Sequence, residues 1–456
     1  MTGSVALASA LLETGRAAGA APPPNVVFVL ADDLRPDGIA ALGNPNVKTP
    51  HFDAVVDRGV SFRKAYTMGS MVGAVCLPSR TMVLTGRSLF RAANAPSGED
   101  PGTHTFPRVM RESGYVTLHA GKFGNSPKHI TDEFDETVDP GDATAVADAV
   151  VRFVGRHAGK QPFLAYMAGR EPHDPQYAPQ RFYDMYDPKV IPLPAAFVPY
   201  HPFDNGEMTV RDEMTLPFPR SPEEIRGKLA RYYASISYLD HEFGRVVQAL
   251  KEAGQYENTL FIIAGDNGLS LGEHGLLGKQ NLYEYGGMHV PLVFAGPGIR
   301  RGETGTLTYL MDIFPTVCDL VGAPIPSGVE GLSLAAILRG RADRVRAWLF
   351  TAYSRVQRAV TDGRWKLIRY PQIDKTQLFD LDRDPHEQCD LSDDPRYAEQ
   401  VQFMLDRLAE LQRVYGDDLP LHVAEPLSAA WSPEKLTPEQ LAYQKEETDH
   451  CKGLTR

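Results

Sequence analysis

Two uninterrupted apolar runs mark this chain, Asn25-Val26-Val27-Phe28-Val29-Leu30 and Thr259-Leu260-Phe261-Ile262-Ile263-Ala264. Short and rich in β-branched residues, each predicts a strand buried on both faces, as in a parallel sheet. Further strands are expected near 59–66, 115–118, 163–167 and 290–295. Between them the period changes. Val146, Ala149, Val150, Phe153 and Val154 recur at helical spacing across 143–157, and a stripe from Leu229 to Leu250 marks a long helix. That helix opens on Ser221-Pro222-Glu223-Glu224, a capping box with Pro at the first helical position, and stops at Gly254. Two shorter helices are expected at 105–113 and 312–321. Strands alternating with helices predict an α/β fold with a large, mixed but mostly parallel sheet flanked by helices.

After residue 345 the pattern shifts. Segments 348–353, 358–361, 365–369 and 377–380 alternate like short antiparallel strands, and 395–415 reads as a helix, so a small C-terminal α+β subdomain with an antiparallel sheet is expected. The division is a leader at 1–24, a catalytic domain at 25–345, and a C-terminal subdomain and tail at 346–456. The tail after Asp418 is charged and is expected to wrap or fray. Residues 176–220 are long, Pro-rich and aromatic, which reads as a substrate-specificity insertion, with packing filler as the alternative.

Composition narrows the classes. The chain has 456 residues and a net charge of -11, which argues against general binding to nucleic acid or an anionic membrane. Four cysteines, at 76, 318, 389 and 451, are too scattered for a disulfide framework or a Cys-rich zinc site. No run approaches the roughly 18 to 20 apolar residues of a membrane span. The Ala- and Gly-rich lead ending in Pro22-Pro23-Pro24 resembles the tail of a signal peptide but lacks a basic start. It points to a periplasmic or secreted location, with a disordered leader and a cytoplasmic location as the alternative.

Both long strands end in polar pairs, Asp32-Asp33 and Asp266-Asn267. If these strands lie side by side, three carboxylates and an amide oxygen meet at one sheet edge, where adjacent acids are destabilising unless a cation neutralises them. An oxygen-only set suits Ca²⁺ before Mg²⁺. Cys76 precedes a Pro able to occupy a helix's first turn, an arrangement that directs N–H groups and partial positive charge toward it. Taken alone, it reads as a small buried residue.

The full string Cys76-Leu77-Pro78-Ser79-Arg80, followed by Leu84-Thr85-Gly86-Arg87, resembles the signature of type I sulfatases of the alkaline-phosphatase-like superfamily. Gly121-Lys122, Pro172-His173-Asp174-Pro175, Gly278-Lys279, Glu330-Gly331-Leu332-Ser333-Leu334 and Leu378-Phe379-Asp380-Leu381 continue the likeness from residue 25 to about 415. The resemblance implies that a formylglycine-generating enzyme oxidises Cys76 to formylglycine, whose hydrate attacks sulfur. It further implies a divalent cation held by Asp32, Asp33, residue 76, Asp266 and Asn267. Arg80 is then expected to hold the hydrate, Lys122 and Lys279 to face the sulfuryl oxygens, and His173 to protonate the leaving group.

Two positions depart from the family pattern. Gly124 and Asn125 stand where relatives carry a His, leaving the second hydroxyl's base open, with His129 a nearby substitute. His289 replaces an Arg and reads as structural, with substrate contact as the alternative. The reading is a sulfatase acting on a sulfated saccharide, though a choline-like sulfate also fits. The rivals are a phosphonate monoester or phosphodiester hydrolase of the same superfamily, and a non-catalytic binder of sulfated glycans.

Overall fold

The computed structural model describes residues 22–93, 104–139 and 141–451, so most of the leader-like segment 1–24 lies outside the described residues. In chain order the strands are β1 (Asn25–Ala31), β2 (Val60–Tyr66), β3 (Gly69–Ser70), β4 (Val116–Gly121), β5 (Glu136–Val138), β6 (Phe163–Ala168), β7 (Thr259–Gly265), β8 (His289–Ala295), β9 (Gly302–Tyr309), β10 (Leu349–Tyr353), β11 (Gln357–Thr361), β12 (Trp365–Tyr370) and β13 (Lys375–Asp380). Eight of them form one sheet in the order β5-β4-β6-β1-β7-β8-β2-β9, and five form a second in the order β13-β12-β11-β10-β3. The large sheet is parallel except where β8 pairs with β7 and β2, which is the mixed, mostly parallel α/β architecture expected.

The apolar run of β1 is continuous because both of its faces are covered. Val27, Val29 and Ala31 belong to one core, and Val26, Phe28 and Leu30 to another. On the first face pack helices α2 (Ala143–His157) and α3 (Pro222–Glu252), whose stripes supply Val150, Phe153, Ile236 and Phe243. Ser221 caps α3 as its sequence predicts, its hydroxyl accepting from the Glu224 N–H at 3.2 Å. The second face is covered by α1 (Cys76–Thr85) and α4 (Ile313–Val321), through Val83, Leu84, Phe314 and Val317. A third core joins the second sheet to α5 (Ala398–Tyr415) through Met404 and Leu408. Among the described residues no helix is long and apolar enough to cross a membrane.

Residues 69–73, which lead into α1, begin as strand β3, and this pairs with β10 in the second sheet. A Cβ at Gly69 would lie 1.8 Å from the Ala352 carbonyl oxygen, so the approach requires glycine. The tail, expected to wrap or fray, forms helix α6 (Pro438–Cys451), which packs on the short 3-10 segment Arg211–Thr215.

Candidate active site

Strands β4, β6, β1 and β7 are sheet neighbours and run parallel, so their carboxyl ends open on one edge, where open α/β sheets bind ligands. Lys122 follows β4, the loop bearing His173 follows β6, Asp32-Asp33 follows β1, and Asp266-Asn267 follows β7. Ala31 pairs with Gly265 in register, and the Asp266 N–H donates to the Ala31 oxygen at 2.9 Å. A Cβ at Gly265 would meet the Leu34 carbonyl oxygen at 2.3 Å, so this glycine lets the turn after β1 close over β7. Asp33 takes φ 66°, a left-handed conformation Asp tolerates. That twist breaks the alternation of a strand and brings two successive carboxylates toward one point. Asp32 Oδ1 lies 3.0 Å and Asp33 Oδ1 3.7 Å from Cys76 Sγ.

Cys76 is the first residue of α1, and Arg80, one turn on, lies on the same side. Arg80 is fully buried. Its Nε donates to Asp266 Oδ2 at 2.9 Å, its Nη2 lies 3.5 Å from Asp32 Oδ2, and its Nη1 donates to the Ala168 oxygen at 3.3 Å. The guanidinium thus ties together the ends of β1, β6 and β7. Lys279 Nζ donates to Asp33 Oδ1 at 2.7 Å and to Cys76 Sγ at 3.3 Å. Lys122 Nζ donates to Asp32 Oδ2 at 3.1 Å. His173 Nε2 lies 3.8 Å from Asp33 Oδ2, while its Nδ1 faces the Asp174 carbonyl oxygen at 2.7 Å and Asp174 Oδ1 at 2.9 Å.

These charges act on one another. Burial would raise Asp32, but His173, Arg80, Lys122 and Lys279 hold it well below the usual carboxylate range. Asp266 goes the other way, pushed to about 6 by burial and by the charges of Asp32 and Asp33. Burial alone would lower His173, yet Asp33 and Asp32 raise it to about 9. Burial, followed by the charges of Asp266 and Asp32, drives the Cys76 thiol well above its ordinary value, so position 76 carries no ready thiolate.

The donor set fits a hard cation. Asp32, Asp33, Asp266 and Asn267 are at most 2 % exposed, and Asn267 Oδ1 is buried without a hydrogen-bond partner while its Nδ2 donates to Asp33 Oδ1 at 2.7 Å. A cation beside that orphaned oxygen would satisfy it and relieve the crowding that raises Asp266. Ligand atoms of Asp32, Asp33, Cys76 and His173 all lie within 4.8 Å of one another.

Of the residues singled out from sequence, Cys76, Arg80, Lys122, His173, Lys279, Asp32, Asp33, Asp266 and Asn267 converge here. His289 does not join them. It stacks on Tyr66, its Nδ1 lies 3.1 Å from Glu284 Oε2 and its Nε2 3.0 Å from the Arg63 oxygen, which supports the structural one of its two readings. Asn125, noted only as a departure, donates to Asp32 Oδ2 at 2.8 Å, whereas His129 is exposed on a short helix. Sequence reasoning also missed Glu213, whose carboxylate accepts from the N–H groups of Leu277 and Gly278 at 3.0 and 2.9 Å and so anchors the turn carrying Lys279. Gln357 and Tyr353 of the second sheet were missed as well. Gln357 Nε2 donates to the Gln280 oxygen at 3.0 Å, and the Tyr353 hydroxyl lies 3.5 Å from the Gly73 oxygen. No local pattern marks these contacts, since each spans more than 60 residues of chain.

A helix-start residue facing a buried carboxylate cage at a parallel sheet edge sets residue 76 among groups able to hold a cation and, through Lys122 and Lys279, an anion. Residues 24–323 match the family described as Sulfatase, so the chain belongs to that family, and 272–414 match the family described as N-sulphoglucosamine sulphohydrolase, C-terminal. It is an enzyme, a sulfuric ester hydrolase. Among curated relatives, a choline-sulfatase of Rhizobium meliloti is 28 % identical, with 82 % of this chain and 83 % of that protein covered. Among solved structures, a protein in complex with its substrate D-glucosamine-2-N,6-O-disulfate superposes with a TM-score of 0.73 at 20 % identity, covering 88 % of this chain and 99 % of the other. The phosphonate monoester hydrolase of Agrobacterium radiobacter does so with a TM-score of 0.72 at 23 % identity, covering 86 % and 96 %.

Proposed function

We propose that this sulfatase hydrolyses a sulfate ester of a carbohydrate, with residue 76 matured from Cys to formylglycine as the nucleophile. One observation carries the reading: position 76 meets Asp32 and Lys279 at 3.0 and 3.3 Å inside a cage that keeps a thiol protonated. A buried thiol there is a poor nucleophile, whereas the hydroxyls of an aldehyde hydrate would find an acceptor and a cationic donor in place. Asp32, Asp33, Asp266 and Asn267 would hold the cation, Ca²⁺ before Mg²⁺ by donor type. When bound, it supplies positive charge for the sulfate and lowers the pKa of a hydroxyl.

The remaining roles belong to side chains present here. Lys122 and Lys279 stabilise charge on the sulfuryl oxygens. Attack on sulfur breaks the S–O bond to the alcohol, and His173 Nε2 gives that leaving oxygen a proton, its Nδ1 held by Asp174. Loss of a proton from the second hydroxyl then breaks the bond between carbon and the sulfate oxygen, restoring the aldehyde and releasing sulfate. Asn125 cannot accept that proton, because an amide has no basic site in this range.

The carbohydrate class rests on the groups beside the cluster. Arg211 donates to both Asp174 and Asp212, and Glu207, Gln280 and Tyr353 stand near the Gly73 loop, a hydrogen-bonding set rather than an aromatic cage for a quaternary ammonium. The superposable neighbour bound to a disulfated glucosamine agrees with this class. A phosphodiester or phosphonate monoester carries the same single charge as a sulfate ester, and the likeness to a phosphonate hydrolase keeps that rival in view.

Peptide mass spectrometry across residue 76, on protein made with the maturing enzyme present, should find the aldehyde or its hydrate. The same preparation should turn over aryl sulfate with a higher kcat/KM than the matching aryl phosphodiester. A thiol retained in a competent host would remove the nucleophile, and the opposite rate order would favour the phosphodiesterase.

A further inference from the structure

The family matches end at residue 414, yet the chain beyond them returns to the active site. Helix α6 is 14 residues long and has no apolar stripe: its buried positions are Gln444, Thr448 and Cys451, which share one face at helical spacing. An isolated helix of this length and polarity would not hold together in water, so its contacts must order it. Those contacts lead inward. Gln444 Nε2 donates to the Leu216 oxygen at 3.2 Å, and Cys451 Sγ lies 3.7 Å from Asp174 Oδ2. Glu447 Oε2 accepts from Arg211 Nε at 3.1 Å, and Arg211 Nη1 donates to Asp174 Oδ1 at 2.7 Å. Asp174 in turn faces His173 Nδ1 with its carboxylate Oδ1 at 2.9 Å, beside its own backbone oxygen at 2.7 Å.

We propose that α6 is a positioning element for leaving-group protonation, Glu447 acting through Arg211 and Asp174 to fix the orientation of the His173 ring. Glu447 accepts from Nε of Arg211, while Nη1 is shared between Asp174 at 2.7 Å and Asp212 at 3.2 Å, so the guanidinium is held from both ends. Asp174, held by that arginine, keeps His173 Nδ1 engaged and Nε2 turned to the cluster, the logic by which a carboxylate orients an imidazole. Neither Glu447 nor Arg211 is assigned contact with the reacting atoms; both are positioning residues. The inference rests on the reading of His173 as proton donor.

That dependence gives the test its form. A proton donor matters most for a basic leaving group, so its misplacement steepens the fall of kcat/KM from 4-nitrophenyl sulfate to phenyl sulfate. The ratio of the two substrates within one preparation cancels any inactive fraction. On the full matured enzyme, Glu447→Ala should lower that phenyl-to-nitrophenyl ratio about tenfold, and Glu447→Gln, which retains an acceptor for Arg211 Nε, should recover most of it. Deleting 438–456 should match or exceed the alanine effect. His173→Asn should lower the ratio further, by about 10². An unchanged ratio in Glu447→Ala beside a lowered one in His173→Asn overturns the role of α6 and leaves His173 its function. An unchanged ratio in His173→Asn overturns the proton-donor reading and this inference with it.

Discussion

Two of the buried clusters of charge among the described residues can be set side by side, and of these two one has the marks of a site. At the edge of the large sheet, Asp32, Asp33 and Asp266 meet Arg80, Lys122 and Lys279. Where the two sheets join, Glu284 and Glu387 meet Lys366, whose Nζ lies 2.8 and 2.9 Å from their Oε1 atoms, while the Tyr66 hydroxyl donates to Glu284 Oε2 at 2.6 Å. Electrostatically the clusters are alike. At the joint, burial would raise Glu284, but Lys366 and His289 hold it well below the usual range, and Glu387 is pushed to about 7 by burial despite Lys366. Asp32 and Asp266 are split in the same sense. Perturbed carboxyls therefore do not by themselves mark a catalytic centre.

What separates the clusters is access and completion. At the joint the side chains of Lys366, Glu284 and Glu387 are at most 9 % exposed and that of His289 14 %, so the cluster is largely closed to solvent. At the sheet edge, Lys122 and His173 keep side-chain exposures of 24 % and 20 %, and Asn267 Oδ1 remains an unmatched acceptor. The joint is closed on itself, whereas the edge keeps two partly exposed cationic groups and an unsatisfied acceptor.

The strongest way to break this comparison is Asp266→Asn. It should lower kcat/KM on an aryl sulfate by at least about 10³ while leaving the melting temperature nearly unchanged, since it removes a charge that burial and its neighbours already oppose. Added Ca²⁺ should raise the melting temperature of the wild type and not of this variant, by mass action on the folded state. A wild type indifferent to Ca²⁺ would leave the donor set without a tenant.

Lys366→Met should act in reverse. Removing the shared cation strands two buried carboxyls and should cost about 3 kcal/mol of stability in a denaturant titration, with kcat per folded molecule within about twofold of wild type. A comparable loss of kcat would mean that the joint takes part in the chemistry.

The smallest effect is in pH dependence. Glu387 titrates near 7 in the fold, above its ordinary 4.5, so between these values the folded chain keeps a proton that the unfolded chain has lost. Stability from this group is thus fully present below about 4.5 and declines as pH rises toward 7. Glu387→Gln should flatten the stability profile between pH 5 and 7, by on the order of 1 to 3 kcal/mol across the window. An unaltered slope would show that Glu387 is ionised throughout.

Much of the site was legible because it is built at strand ends. A continuous apolar run locates a buried strand, and the polar pair that ends it must sit at the sheet edge, so Asp32-Asp33 and Asp266-Asn267 could be placed together before any contact was known. The string from Cys76 to Arg87 is likewise local, one loop and one helix, with residue 76 and Arg80 a single turn apart. The α/β alternation, the capped start of α3 and the four antiparallel strands after residue 345 follow from period and capping alone.

Tertiary structure decided what each charge is paired with. Arg80, expected to hold the nucleophile, is engaged with Asp266, Asp32 and the end of β6; Asn125 reaches Asp32; His289 joins Tyr66 and Glu284. The polar tail becomes a helix because Arg211 and Leu216 offer it partners more than 200 residues away in sequence. The reason is physical. Periodicity and motif report interactions within a turn of helix or along a strand, where covalent geometry sets the distances, while partners brought together by loops without a period are chosen only when the whole core has closed around them.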